Sequence, residues 1–204
     1  MKSSQILFVT GTDTDVGKTV FSTLTTVYLR KTRFRVAALK PICSGGRDDA
    51  RLLHEAAGKV LPLDEVNPWF FRAALAPVLA ARKEKRAVKL REVVAHIRDI
   101  AKRFEVVVVE GAGGLLSPMG EGFDSRDLIK ALGTTAFVVC PNRLGAVNQV
   151  RLVLDALPAN TRRDARVVLM NRKKPDAASR TNPDLLAEFV EARCLRVVPW
   201  LKTD

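Results

Sequence analysis

Short apolar runs alternate with stretches of helical period along most of the chain. Gln5–Thr10 (QILFVT) reads as a first strand, and Lys18–Lys31 as a helix that opens straight out of a glycine-bounded turn. Phe34–Lys40 (FRVAALK) reads as a second strand, stopped by Pro41. Helices are expected over Asp48–Ala57 and Ala73–Glu84. Leu90, Val93, Val94, Ile97, Ile100 and Ala101 recur at helical spacing and predict a crossover helix over Lys89–Arg103. It feeds Glu105–Glu110 (EVVVVE), an unbroken β-branched run of the kind found in strands covered on both faces. Asp124–Leu132 reads as a helix with Gly133 at its C-terminal cap, Thr135–Cys140 as a strand, and Gly145–Leu157 as a helix. Arg166–Asn171 is a further strand. Asn182-Pro183 reads as a cap with proline at the first helical position, starting a helix that runs to about Arg193. Leu195–Val198 closes the series.

Strand after helix after strand predicts an α/β fold of three layers, with a mostly parallel central sheet and helices on both faces. No repeat or Ser/Gly-rich linker divides the sequence, so one domain over residues 1–204 is expected. Ligands of such sheets bind beyond the carboxyl ends of the strands. The loops after Thr10, Lys40, Glu110, Cys140 and Met170 should therefore share one rim.

Composition narrows the classes. Hydrophobic residues make up 47% of 204, which suits a folded core. The aliphatic runs are far too short to span a bilayer, and Ile6–Val9 is too brief for a secretory signal, so no membrane association is expected. Three cysteines, Cys43, Cys140 and Cys194, lack metal-like or CxxC spacing, which fits reduced thiols and a cytoplasmic location. The net charge of +12 raises nucleic acid as a partner. The basic residues are spread over helix faces without interleaved aromatics, however, and one Tyr and two Trp offer little to stack on bases. Attraction of anionic small molecules accounts for the charge as well, and no nucleic-acid partner is expected.

The unusual residues fall in the rim loops. GTDTDVGKT, Gly11 to Thr19, ends as a nucleotide phosphate loop ends, but five residues separate Gly11 from Gly17 where the common pattern has four. Two acids, Asp13 and Asp15, sit inside it. The flanking strand and helix place backbone N–H groups and a helix N-terminus toward a phosphate, with Lys18 reaching the β and γ phosphates and Thr19 a bound Mg²⁺. Lys40-Pro41-Ile42-Cys43-Ser44-Gly45-Gly46 puts a second lysine at a strand end, beside a hydroxyl and two glycines that can wrap a small substrate. Glu110 ends the buried strand where a second metal-site carboxylate stands, and Gly111-Ala112-Gly113-Gly114 follows it. Asp49 opens the next helix as a candidate third ligand or as an ordinary acid favoured by the helix dipole. Cys43 reads as a plain loop thiol, and His54 and His96 as ordinary helix residues.

Taken together, Gly11–Thr19, KPxxSG at Lys40–Gly45, EGAGG at Glu110–Gly114 and the strand-end Asn171 resemble the dethiobiotin synthetase family of P-loop NTPase-like enzymes. The likeness runs in order over nearly the whole chain and includes Val66-Asn67-Pro68, LGAVN at Leu144–Asn148 and Pro199-Trp200-Leu201. The family's phosphate loop has the same five-residue spacing. The resemblance implies an ATP- and Mg²⁺-dependent cyclo-ligase that joins CO₂ (or bicarbonate) to 7,8-diaminononanoate through a carbamate and a carbamic–phosphoric anhydride. It further implies that Asp15, Val16, Gly17, Lys18, Thr19, Val20, Glu110, Gly111, Ala112 and Gly113 hold ATP, with Asn171, Pro199 and Trp200 at the base. Thr19, Asp49 and Glu110 would hold Mg²⁺. Lys18 and Lys40 would neutralise the carbamate and the transferring phosphoryl, with Thr14 and Asp15 beside them. Ser44, Lys40 and Thr14 would contact the diamine, whose carboxylate would meet Leu144, Gly145 and Asn148 of the second subunit of a homodimer. Val78 stands where relatives often have His, Asp15 where many have Glu, and the stretch after Trp200 is short, which leads us to expect looser nucleotide selectivity. Two other readings share the loop. A partitioning or carrier ATPase would bring an extra lysine before Gly17, where none stands, and would give KPxxSG nothing to do. A related ATP-dependent synthetase could act on another amine or carboxylate.

Overall fold

The computed structural model describes residues 4–201. Strand β1 (Gln5–Gly11) leads through the glycine turn into helix α1 (Lys18–Lys31) and strand β2 (Val36–Leu39). Strand β3 (Ile42–Ser44), helices α2 (Asp48–Ala56) and α3 (Leu63–Val66), strand β4 (Trp69–Phe71) and helix α4 (Pro77–Lys83) follow. Helix α5 (Leu90–Ala101) then feeds strand β5 (Val106–Glu110), the short strands β6 (Pro118–Gly120) and β7 (Phe123–Asp124), and helix α6 (Ser125–Leu132). The last third holds β8 (Thr135–Pro141), α7 (Ala146–Ala156), α8 (Ala159–Arg162), β9 (Arg166–Met170), α9 (Ala177–Ala187) and β10 (Leu195–Val198).

Six strands form the central sheet in the order β10-β9-β8-β1-β5-β2, and every neighbouring pair is parallel. Because side chains alternate along a strand, the sheet splits the core in two. Phe8, Ala37, Leu39, Val107 and Val109 face a cluster covered by α4, α5, α6 and α7. Leu7, Val9, Val36, Val106 and Val108 face a smaller cluster closed by Leu53 of α2 with Phe21 and Leu29 of α1. This is the three-layer arrangement, and parallel pairing brings the carboxyl ends of β1, β2, β5, β8 and β9 to one edge.

The structure departs from the sequence reading at several elements. Three-residue strands β3 and β4 pair with each other, and β6 with β7; all are too short to show a period. The helix expected from Ala73 begins at Pro77, because a residue before proline is held extended and Ala76 has ψ 138. The helix expected from Asn182 begins instead at Ala177, with the Asp176 carboxylate accepting from the Ser179 N–H, and it ends at Ala187. Pro183 therefore lies inside the helix and Asn182 is buried within it. By contrast, Asp124 caps α6 through a reciprocal box with Asp127.

Candidate active site

Parallel register sets the floor of the site. Glu110, the last residue of β5, is fully buried. The Lys40 ammonium, just past β2, donates to its Oε1 at 2.7 Å and to the Gly111 carbonyl at 3.1 Å. The same ammonium lies 3.0 Å from Oδ2 of Asp49, which α2 presents from its first turn. The Thr19 hydroxyl, in the first turn of α1, donates to the same Glu110 oxygen at 2.8 Å. Three residues from separate stretches, Thr19, Lys40 and Asp49, thus gather around one buried carboxylate.

The phosphate loop arches above them. Gly17 caps α1 at φ 98, a conformation that favours glycine, and a Cβ there would lie 3.1 Å from the Met170 side chain, which would have to shift slightly. The two acids of the loop part company. Asp15, itself at φ 56, lines the main cavity. Asp13 faces a second hollow of about 490 Å³; its carboxylate accepts the Thr14 N–H at 2.7 Å, and its carbonyl accepts the Lys18 ammonium at 2.7 Å.

Thr14, Asp15, Gly17, Lys18, Thr19, Val20, Lys40, Ser44, Asp49, Ala112 and Gly113 all border one cavity of about 1000 Å³. Glu110 and Gly111 lie beneath it, both bonded to Lys40, and Val16 is buried in the core cluster with Leu7 and Val9. Leu144, Gly145 and Asn148 do not reach it. They sit at the start of α7, all exposed, with Leu144 at 76%. Asn171, Pro199 and Trp200 are also outside it, at the ends of β9 and β10, with Trp200 exposed. Cys43, read from the sequence only as a plain loop thiol, lies in the same wall with Ala74, Leu75 and Ser117, and no site role for these was singled out in the sequence. Neither was the function of Asn67, which only the tertiary structure reveals. Its buried side chain donates to the Lys40 carbonyl at 2.7 Å and accepts from Arg47 Nε at 3.1 Å, tying β2 to the start of α2.

Charge is set by burial and by these contacts. Burial, and then the neighbouring Lys40 charge, bring the Lys18 ammonium down from 10.5 to about 8, with Glu110, Asp49 and Asp15 offsetting only part of the effect. Burial also works against a charged Lys40, but Glu110 and Asp49 outweigh it and hold that ammonium above its ordinary value. For Asp49, burial would raise the carboxyl, and Lys40 with Thr19 more than reverses this. Burial pushes the Cys43 thiol up, leaving it a poor nucleophile.

One oxygen in this layer is unanswered. Oε2 of Glu110 is buried without a hydrogen-bond partner, a costly state for a carboxylate oxygen unless a cation or water completes it. With Asp49 and the Thr19 hydroxyl it forms a set of hard oxygen donors that fits a divalent cation of the magnesium type. Among the described residues no group of three or more His, Cys, Asp or Glu side chains gathers as a metal cage. The protein's share would be two carboxylates and a hydroxyl, the sparse ligation such ions keep when phosphates supply the rest. No helix among the described residues is long and apolar enough to cross a membrane.

Comparison with known proteins agrees with the geometry. The family model described as an AAA domain matches residues 5–203. The chain is 39% identical to the ATP-dependent dethiobiotin synthetase BioD of Akkermansia muciniphila over 92% of its own length and 88% of the relative's. It is 40% identical to the protein of the same name from Anaeromyxobacter dehalogenans strain 2CP-C, covering 95% of this chain and 89% of that one. To the Bacillus subtilis strain 168 protein of that name it is 33% identical, over 95% and 87%. Among solved structures, the MinC:MinD cell division protein complex of Aquifex aeolicus is similar at a TM-score of 0.58 and 14% identity, covering 96% of this chain and 81% of that chain, a likeness of fold alone.

Proposed function

The chain belongs to the ATP-dependent dethiobiotin synthetase family, and from that premise we propose how its site carries the reaction. The protein is an ATP-dependent cyclo-ligase of biotin synthesis, and its substrates are small molecules. One amine of 7,8-diaminononanoate adds to CO₂ and loses a proton, giving a carbamate. A carbamate oxygen then attacks the γ-phosphorus of ATP, and the bond to the β–γ bridging oxygen breaks, releasing ADP. The second amine attacks the carbonyl carbon of the resulting anhydride, loses its proton, and expels phosphate as the cyclic urea closes.

The observation that carries this reading is the Lys40 ammonium, buried between Glu110 and Asp49 at the floor of the cavity that Lys18 and Ser44 also line. Held above its ordinary value, Lys40 keeps its charge and balances the carbamate and the phosphoryl oxygens. Lys18 exchanges the Asp13 carbonyl for the phosphates. The Ser44 hydroxyl donates to the Leu75 carbonyl at 2.6 Å, which leaves its oxygen free to accept from an amine. Thr14 lines the same cavity, and Asp15 faces that space as an acceptor for the ammonium proton. Thr19, Asp49 and Glu110 would hold Mg²⁺, which when bound neutralises charge on the β and γ phosphates. Asn171 reads the adenine edge, near Pro199 and Trp200.

Exposure of Leu144, Gly145 and Asn148 away from the cavity supports their serving a neighbouring copy, so the working form is a homodimer in which each of these loops receives the partner's substrate carboxylate. The enzyme acts in the cytoplasm as one domain.

The test is incorporation of labelled bicarbonate into an acid-stable product. Incorporation should require both ATP and the diamine. ATP turnover indifferent to the diamine would overturn the reading.

A further inference from the structure

Resting on the assignment of Asn171 to the base, we propose that Asn142 and Asn182 are positioning residues for nucleotide choice, because they fix which way up the Asn171 amide stands. An asparagine amide turned over swaps a donor for an acceptor, so its orientation decides what it can read. Here the orientation is forced by groups that cannot change role. Asn182 Nδ2 donates to the Arg143 carbonyl at 2.9 Å, which settles that amide, and also to Asn142 Oδ1 at 2.9 Å. Asn142 Nδ2 in turn donates to the Ser179 carbonyl at 2.8 Å, a pure acceptor, and to Asn171 Oδ1 at 2.8 Å. Asn171 must therefore hold its oxygen toward Asn142 and its NH₂ on the other arm. Asn142 and Asn182 are buried, so water does not compete for these bonds.

Pro183 has a part in this. Within a regular helix the Ser179 carbonyl would accept the N–H of the residue four positions on, which is 183. Proline has no N–H, so that carbonyl is left for Asn142.

Adenine presents an amino donor next to a ring acceptor, whereas guanine presents the O6 acceptor where adenine has its donor. An amide locked with its oxygen in place matches the first and meets the second with like against like. An amide free to turn can donate to O6.

Equilibrium binding of ATP and GTP to the full-length protein, together with kcat and KM for both, tests the chain of bonds. For Asn142→Ala the ATP-to-GTP preference should fall about tenfold, the worth of one hydrogen bond well placed, while kcat at saturating ATP stays within about twofold. Pro183→Ala guards against a folding artefact. It restores an N–H that competes for the Ser179 carbonyl, so the preference should fall, while the melting midpoint is unchanged or higher because proline inside a helix is unfavourable. A preference kept at the wild-type value in both variants, while Asn171→Ala abolishes it, overturns the positioning role and leaves the base-reading assignment standing. A preference untouched by Asn171→Ala, or a wild-type preference near one, overturns that assignment and the inference with it.

Discussion

Replacing Lys40 with methionine removes the cation that touches Glu110 and strands a fully buried carboxylate. Breaking a buried pair by deleting one partner costs about 3–5 kcal/mol, since the remaining charge keeps its desolvation penalty without its compensation. For a domain of this size that converts to a fall in melting midpoint of roughly 6–20 °C. The loss should depend on pH with a definite sign. In wild type, the raised Lys40 contributes stability that persists until the pH climbs through its folded value, and the lowered Asp49 contributes stability lost only in acid. Both are constant between about pH 5 and 8. In the variant Asp49 has lost the ammonium that lowers its carboxyl, so its share of the stability is gone at every pH where wild type has it. Wild type itself gives up that share as pH falls through the ordinary aspartate value of about 3.9 and below. The deficit against wild type, read by urea unfolding, should be smaller at about pH 3 than at about pH 8. Adding Glu110→Gln should recover most of the stability and none of the bicarbonate incorporation. A deficit that is equal at both pH values, or absent, would refute the claim that these charges form one buried unit.

Other outcomes follow from the same contacts. The Lys18 ammonium, lowered to about 8, is repartnered by phosphates, so ATP binding above that pH should take up a proton. Calorimetry in buffers of different ionisation enthalpy should find uptake near pH 9 and almost none near pH 6. Because its folded value lies below its unfolded one, Lys18 opposes folding at low pH, and that penalty, worth about 3 kcal/mol, should fade as pH rises from about 8 toward 10.5. Alkylation of Cys43 by iodoacetamide should be slower than that of a free thiol at pH 8, since burial raises its pKa; labelling at the free rate would count against this. Asp124→Ala should lose about 1 kcal/mol by breaking the capping box of α6, measured by urea unfolding, with activity unchanged.

Much of this was legible in the sequence because the informative signals were local. Helix α1 has the bounds its pattern predicted, and four consecutive valines announced the buried strand that ends at Glu110. Lys18, Thr19, Lys40, Ser44 and Asp49 stood out because glycine turns and strand ends mark the rim. What escaped was fixed by contacts between distant residues. Nothing near Asn67 in the chain shows that it holds the carbonyl of Lys40, 27 positions away. The start of α9 was misplaced because Asn-Pro is a good local beginning for a helix, yet Asn182 is committed to Asn142, 40 positions away, and Asp176 supplies the cap.

The Lys18 side chain rests on the Asp13 carbonyl inside its own loop. A lysine chain free in water has about 2 kcal/mol of rotamer entropy to surrender, and here most of that has been surrendered during folding. Triphosphate capture is then a handover between two oxygens. The encounter should be quick, limited by diffusion into the cavity mouth rather than by rearrangement of the loop.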